Sequence, residues 1–242
     1  MIVRTLRIES GCIVLAGISL ILLSGCGGDG FGSELAVRPR PQLLSLDDGA
    51  TLRLPQDEPF SIALAPKQAA PGLGGTADAV SHVSKEGRAD ASAHVENGGS
   101  ATAGFQLGHA LRNDSDRLVS MHVRLRCEYE TEAEATPPGP LPDAEVGLNL
   151  YARDGRNRLV RSFNLTQHST EEGAAASRDR KDIDLTFPLG AREWVSIFLA
   201  GGVQIETPEG HAARGSIKLS KLEMEITTEV APPVQKAADE QG

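Results

Sequence analysis

The chain has 242 residues, with 24 Lys or Arg against 33 Asp or Glu, a formal charge of −9, and few aromatics: one Trp, two Tyr and six Phe. A chain this acidic lacks the basic footprint that nucleic-acid phosphates require, which excludes that class of partner, and it is a poor match for anionic lipid head groups. Its three cysteines are Cys12, Cys26 and Cys127.

The first ten residues, MIVRTLRIES, carry Arg4 and Arg7. An apolar run from Gly11 to Leu23 follows and ends in Leu23-Ser24-Gly25-Cys26. A basic start, an apolar stretch of about 7–15 residues and a small-residue cleavage site make a secretory signal. The run is shorter than the roughly 20 residues of a spanning helix. Its Leu-Ser-Gly-Cys end resembles the lipobox of bacterial lipoproteins. That resemblance implies cleavage before Cys26 and lipid on the Cys26 thiol. It further implies a membrane partner through that lipid and a place in the bacterial cell envelope. Gly27, where the family's inner-membrane proteins carry Asp, leans the expectation toward the outer membrane. An ordinary secretory signal or an uncleaved anchor is the competing reading. More than one acyl chain makes such an anchor stable, since a single chain binds only marginally.

Residues 1–25 take two Arg and one Glu with them, which moves the formal charge from −9 to −10. Cys127 is then the one cysteine left for the domain, so no internal disulfide forms. It lies in an alternating apolar row, which makes a buried inert thiol the better reading than a nucleophile.

Residues 26–44 read as a Gly- and Pro-rich tether behind the lipidated cysteine. Within 45–66, the short apolar pieces Thr51 to Leu54 and Phe60 to Leu64 suggest a first pair of strands. Residues 67–88, rich in Ala, Gly, Pro and Ser without a clean period, read as a long disordered loop. From 89 to 230 the period becomes two, the pattern of strands with one buried face. Val119, Met121, Val123, Leu125, Cys127 and Tyr129 alternate with Ser120, His122, Arg124, Arg126, Glu128 and Glu130. The turn Asn113 to Asp116 suggests a hairpin joining this strand to Ala101–Leu111. Asp154-Gly155 signals a second hairpin, between Glu145–Ala152 and Leu159–Thr166. Lys181 to Phe187 alternates, and Glu193 to Leu199 is apolar on both faces, hence central. Gly201-Gly202 suggests a bend or bulge. From Gly215 to Val230 the alternation slips between Leu219 and Leu222, which predicts a bulge or a change of partner near Ser220-Lys221. Residues 231–242 read as a disordered polar tail.

About eight strands over 89–230 predict an all-β domain, a two-sheet antiparallel β-sandwich of jelly-roll type. The closing segment GSIKLSKLEMEI resembles the last strand of jelly-roll carbohydrate-binding modules, and the Trp194 strand before it fits the same scheme. The resemblance implies a binding module for polysaccharide.

The chain has no G-x-S-x-G, no P-loop, no H-E-x-x-H and no C-x-x-C. The expectation is therefore no enzyme, no cofactor and no metal. The acid pairs Asp47-Asp48, Asp114/Asp116 and Asp182/Asp184 could serve calcium, but in turns such side chains more often bond nearby backbone. With so few aromatics, a stacking platform for sugar rings is not expected, which leaves a polar groove. The candidate ligand surface is His122, Arg124 and Arg126, joined by Asn149 and Tyr151 if their strands are adjacent. Two Arg forks on one face suit a carboxylate or phosphate. The competing reading is a solvated face with cross-strand salt bridges to Glu128 or Glu130. Three functions follow: a non-catalytic envelope lipoprotein that binds an unidentified protein or glycan or serves as scaffold, a carbohydrate-binding module, or a hydrolase with dispersed catalytic residues.

Overall fold

The computed structural model describes residues 39–43, 51–137, 144–170 and 173–230. Cys26, the signal, most of the tether, Asp47-Asp48 and the tail lie outside them. Thirteen strands run in chain order: β1 (Gln42–Leu43), β2 (Thr51–Leu54), β3 (Ile62–Leu64), β4 (Lys67–Pro71), β5 (Thr76–Ser84), β6 (Arg88–Glu96), β7 (Gly99–Arg112), β8 (Val119–Thr136), β9 (Ala144–Asp154), β10 (Leu159–Ser169), β11 (Ala175–Leu189), β12 (Trp194–Thr207) and β13 (Ala212–Val230). They form two sheets, and there is no α-helix among the described residues.

Sheet A runs β7-β12-β9-β10, with β1, β3 and β4 along the free side of β7. Sheet B runs β11-β8-β13-β6-β5, with β2 on β13 beyond β6. Every pairing is antiparallel except β1 on β7. This is the two-sheet antiparallel sandwich that the alternating pattern predicts.

Period-two alternation places one side of each strand inside. On β8, Val119, Met121, Val123, Leu125, Cys127 and Tyr129 are all buried, and their even-numbered neighbours face outward. Facing them from sheet A are Phe105, Leu107, Leu148, Leu150, Ile197 and Leu199. Each such side chain contributes about 1.5–3 kcal/mol by leaving water. The core therefore closes without a disulfide.

Sequence neighbours mostly do not pair. Among the described strands, only β5–β6 and β9–β10 are hairpins. The Asp154 turn is one of them: Asn157 N–H donates to Asp154 O at 2.8 Å, with Asn157 at φ 63°. The expected hairpin across Asn113–Asp116 is not formed, because β7 belongs to sheet A and β8 to sheet B. Asn113 explains the crossing. Its buried amide donates to the carbonyls of Arg117, Leu189 and Gly190, which ties the turn to a distant loop instead of a tight reversal.

Three further expectations need correction. β2 and β3 are strands but not a pair; β2 joins β13 and β3 joins β7. Residues 67–88, read as a disordered loop, hold β4 and β5, and β5 pairs with β6 from Thr76 to Ser84. Backbone pairing orders this stretch with little side-chain volume, Ala79 and Ser81 being the buried residues of β5. At Gly201-Gly202 there is no bend: β12 keeps one register with β7 and β9 straight through. Gly201 is needed for space, since a Cβ there would land on the Phe105 ring.

The slip near Ser220 is present. The β13–β8 register shifts between Leu219 and Lys221. The partner also changes there, from β6 up to Leu219 to β2 from Met224.

Candidate functional site

The outward face of sheet B is a grid of alternating charge. Arg124 on β8 donates from Nε and Nη2 to the two carboxylate oxygens of Asp182 on β11, at 2.9 and 2.7 Å. Arg126 Nε reaches the same carboxylate at 3.2 Å. These hydrogen bonds, Arg124's first, draw the Asp182 carboxyl down to about 2. One strand position further, the signs reverse: Arg178 meets Glu130 at 3.3 Å and Arg180 meets Glu128 at 4.0 Å. His122 takes Thr186 Oγ1 at 3.0 Å and has Glu229 3.7 Å away.

The arginine fork is thus occupied by the protein's own Asp182. The predicted salt-bridged face is what forms, with Asp182 as the partner in place of Glu128 or Glu130.

Asn149 and Tyr151 do not join this surface. They lie on β9, in the other sheet, because β8 is flanked by β11 and β13. Both are buried on the outward face of sheet A. There Tyr151 packs on Phe198, with ring centroids 5.6 Å apart and the planes tilted by 38°. Ile62, Ala110, Ala200 and the half-buried Trp194 complete this cluster. Gln106, Arg153 and Ser196 are buried among the polar residues of the same face. These residues are inaccessible to a ligand from solvent.

Cys127 is buried, and burial pushes its thiol up to about 11, which makes it a poor nucleophile. Three acids of the proposed calcium pairs, Asp114, Asp116 and Asp182, are engaged by arginines. Arg192 binds Asp114 at 2.8 Å and Asp116 at 3.2 Å, and Asp182 is held as described.

An open concavity lies on sheet B, at the end away from Arg124. It is a groove of about 600 Å³ that crosses β5, β6, β13, β8 and the start of β11. Register explains it. The row Ser92–Ser216–Glu132–Ala176 runs across four paired strands and has small side chains at three of its positions. The next row, Asp78–His94–Arg214–Glu134, supplies taller walls. Arg214 Nε donates to Glu134 at 2.8 Å, so that pair is fixed. Glu132 differs from the other acids of β8, because its cross-strand neighbours are Ser216 and Ala176 and neither is a cation. The charge grid is interrupted at this residue and resumes with Arg214 and Glu134.

Sequence reasoning missed this groove. Asp78 sits in the stretch read as a loop, and Arg214 precedes the expected strand start. Ser92 and Ser216 are outward positions on strands of separate segments, which only register brings together. A pair of serines at outward positions was the available signal.

No protein-family model matches the chain, and no curated protein matches it. Solved structures do resemble it slightly. One comes from work on the promiscuous specificity of carbohydrate-binding modules of the β-sandwich superfamily, at 14% identity and TM-score 0.27, covering 67% of this chain and 56% of that one. Another is the enzymatically active domain of bacteriophage CBA120 tailspike protein 4, at 11% identity and TM-score 0.26, covering 71% of this chain and 20% of that one. A third is the CBM22-1 xylan-binding domain from Paenibacillus barcinonensis Xyn10C, at 16% identity and TM-score 0.20, covering 77% of this chain and all of that domain. Likeness at this level carries no argument about function, and a sandwich hosts many.

Proposed function

We propose that the chain is a non-catalytic binding module, held at the bacterial envelope by lipid on Cys26, whose groove over sheet B takes a glycan of the cell wall or of extracellular polysaccharide. The observation that carries this reading is the transverse row Ser92–Ser216–Glu132, an open trough floored by hydroxyls with a carboxylate that no cross-strand cation neutralises.

Volume and chemistry support it together. About 600 Å³ falls in the range of clefts that hold small ligands, roughly 300–1,000 Å³. The apolar lining is alanine alone, without the Trp, Tyr or large aliphatic anchors that concentrate affinity in protein interfaces. A phosphate-bearing ligand would face Asp78, Glu132 and Glu134. A polyhydroxylated chain instead offers donors to those carboxylates and acceptors to Arg214 and His94. Without an aromatic ring to stack on, recognition is by hydrogen bonds, so affinity per site is modest.

The test is a glycan array followed by calorimetry on the full chain, with Glu132→Gln and Ser216→Tyr as groove variants. Binding that falls tenfold or more in both variants supports the reading. Loss of no binding in either variant, or turnover of the glycan with release of shorter chains, overturns it. Mass spectrometry of the native N-terminus tests the anchor: an unmodified Cys26 thiol removes it.

A further inference from the structure

Two strands border the open side of the sandwich, β10 at the edge of sheet A and β11 at the edge of sheet B. On the opposite side β5 packs against β4 and β7. An exposed edge offers unpaired backbone N–H and C=O groups to any passing strand, and proteins guard such edges with charge. β11 is guarded in this way, with Arg178, Asp179, Arg180, Lys181, Asp182 and Asp184 in one run.

β10 is not. From Leu159 to Ser169 its one Lys, Arg, Asp or Glu is Arg161. Leu159, Val160 and Phe163 are 48%, 45% and 40% exposed, three of the five large hydrophobic residues left open among the described residues. Register shifts on either side leave a straight run, Arg161–Asn164, with Phe163 inside it.

We propose that β10 pairs antiparallel with β10 of a second copy of the chain, which joins two copies of sheet A across a two-fold axis. Charge selects this occupant. A nearly neutral strand meets its own copy without like charges face to face, whereas a strongly acidic strand would find a single counter-charge here, Arg161, and a strongly basic strand none. A register centred on Phe163 brings the two rings together. It sets the two Arg161 residues about four residues apart, roughly 14 Å along the strand. That exceeds the ~8 Å screening length at physiological salt, so their repulsion is small. The contact is isologous and closes at two copies, which avoids a filament. β11 stays unpaired because its charge run opposes any flat partner. The proposal rests on β10 and is independent of the glycan reading.

The experiment is sedimentation velocity of the full chain in detergent solution over a range of concentrations, beside the variants Phe163→Lys and Val160→Lys. The wild type is expected to sediment with the mass of two chains. Each variant is expected to raise the dissociation midpoint at least about tenfold, with the thermal melting curve in place because both side chains are already exposed. In parallel, Phe163→Cys is expected to form a disulfide-linked dimer under mild oxidation. This arm decides the matter if the lysine variants misfold. A single-chain mass at every concentration overturns the proposal. So does a dimer that both lysine variants leave intact, a complex with a different protein, or a Phe163→Cys chain that does not cross-link.

Discussion

Arg124 and Asp182 meet on the diagonal across β8 and β11 as a two-pronged ion pair, with N···O distances of 2.9 and 2.7 Å. Both side chains are about half open to water. The pair therefore removes Arg124 from the pool of ligand-binding groups more than it stabilises the fold, since exposed ion pairs contribute little. Asp182→Asn should lower the melting temperature only slightly and leave glycan binding in the groove unchanged. The native carboxyl should titrate near 2, below its usual 3.8. Because the folded carboxyl is the stronger acid, its contribution to stability is present above about 3.8 and is lost as pH falls through about 2. Carboxyl chemical shifts followed through an acid titration check the midpoint, and one near 4 would refute it.

His109 titrates in a separate window. Its ring is buried on β7, accepts Ser61 N–H at Nδ1 at 3.2 Å and donates from Nε2 to Gln42 Oε1 at 2.6 Å. It thus pins β1 and the approach to β3 onto β7. A second ring proton would set N–H against the Ser61 N–H. Burial lowers its pKa from 6.5 to about 4. Stability should be full above about 6.5 and fall as pH drops toward 4, by about 3 kcal/mol in all. The acids with depressed pKa lose their contribution only below about 3.8, so the range from 6.5 to 4.5 isolates the histidine. Urea unfolding at pH 7 and pH 4.5 should show the loss, and His109→Gln should flatten the slope even if it lowers stability at pH 7.

The legible part of the fold is what a single strand reveals about itself. β8 shows its period because one face is apolar and the other charged along its whole length. The β9–β10 hairpin shows in Asp154-Gly155, and the slip in β13 shows in the step from Leu219 to Leu222. What stayed hidden is information held between segments. Asn113 looks like a hairpin turn until its amide is seen bonded to Leu189 and Gly190, more than seventy residues away. β5 looks like a loop because its buried side chains are as small as Ala79 and Ser81. Its turn rests on Gly87, at φ 85°, donating to Ser84 O at 3.2 Å. The groove stayed hidden for the same reason, since its floor is assembled from Ser92, Ser216 and Glu132 on three strands. Asn149 and Tyr151 share the outward-facing chemistry that reads as a ligand surface, but sheet membership decides which surface they join.

Gly201 and Phe105 are cross-strand partners, and both point into the core. A methyl group at 201 would overlap the Phe105 ring, which must then move in a packed interior. Gly201→Ala should cost about 1–3 kcal/mol, the usual range for overpacking. The double variant Gly201→Ala/Phe105→Leu should recover part of that loss, because the smaller side chain yields the space. Denaturant unfolding of the two single variants and the double measures the coupling. Additive losses would mean that Gly201 is required for a reason other than the ring.

Ser216 occupies the centre of the groove floor, between Ser92 on β6 and Glu132 on β8. Its side chain points away from the core, since the adjacent Gly215 faces Val203 and Val146 across the sandwich. A larger side chain at 216 therefore fills the trough without entering the interior. Ser216→Tyr should leave the melting temperature within a few degrees of the wild type and reduce glycan affinity tenfold or more. Ser216→Ala, which removes one hydroxyl and keeps the space, should cost about 0.5–1.5 kcal/mol of binding, the net contribution of one hydrogen bond. The contrast separates occupancy from chemistry. If the tyrosine binds as tightly as the serine while the fold is intact, the ligand does not lie in this groove, and the outward charge grid beside it becomes the surface to mutate next.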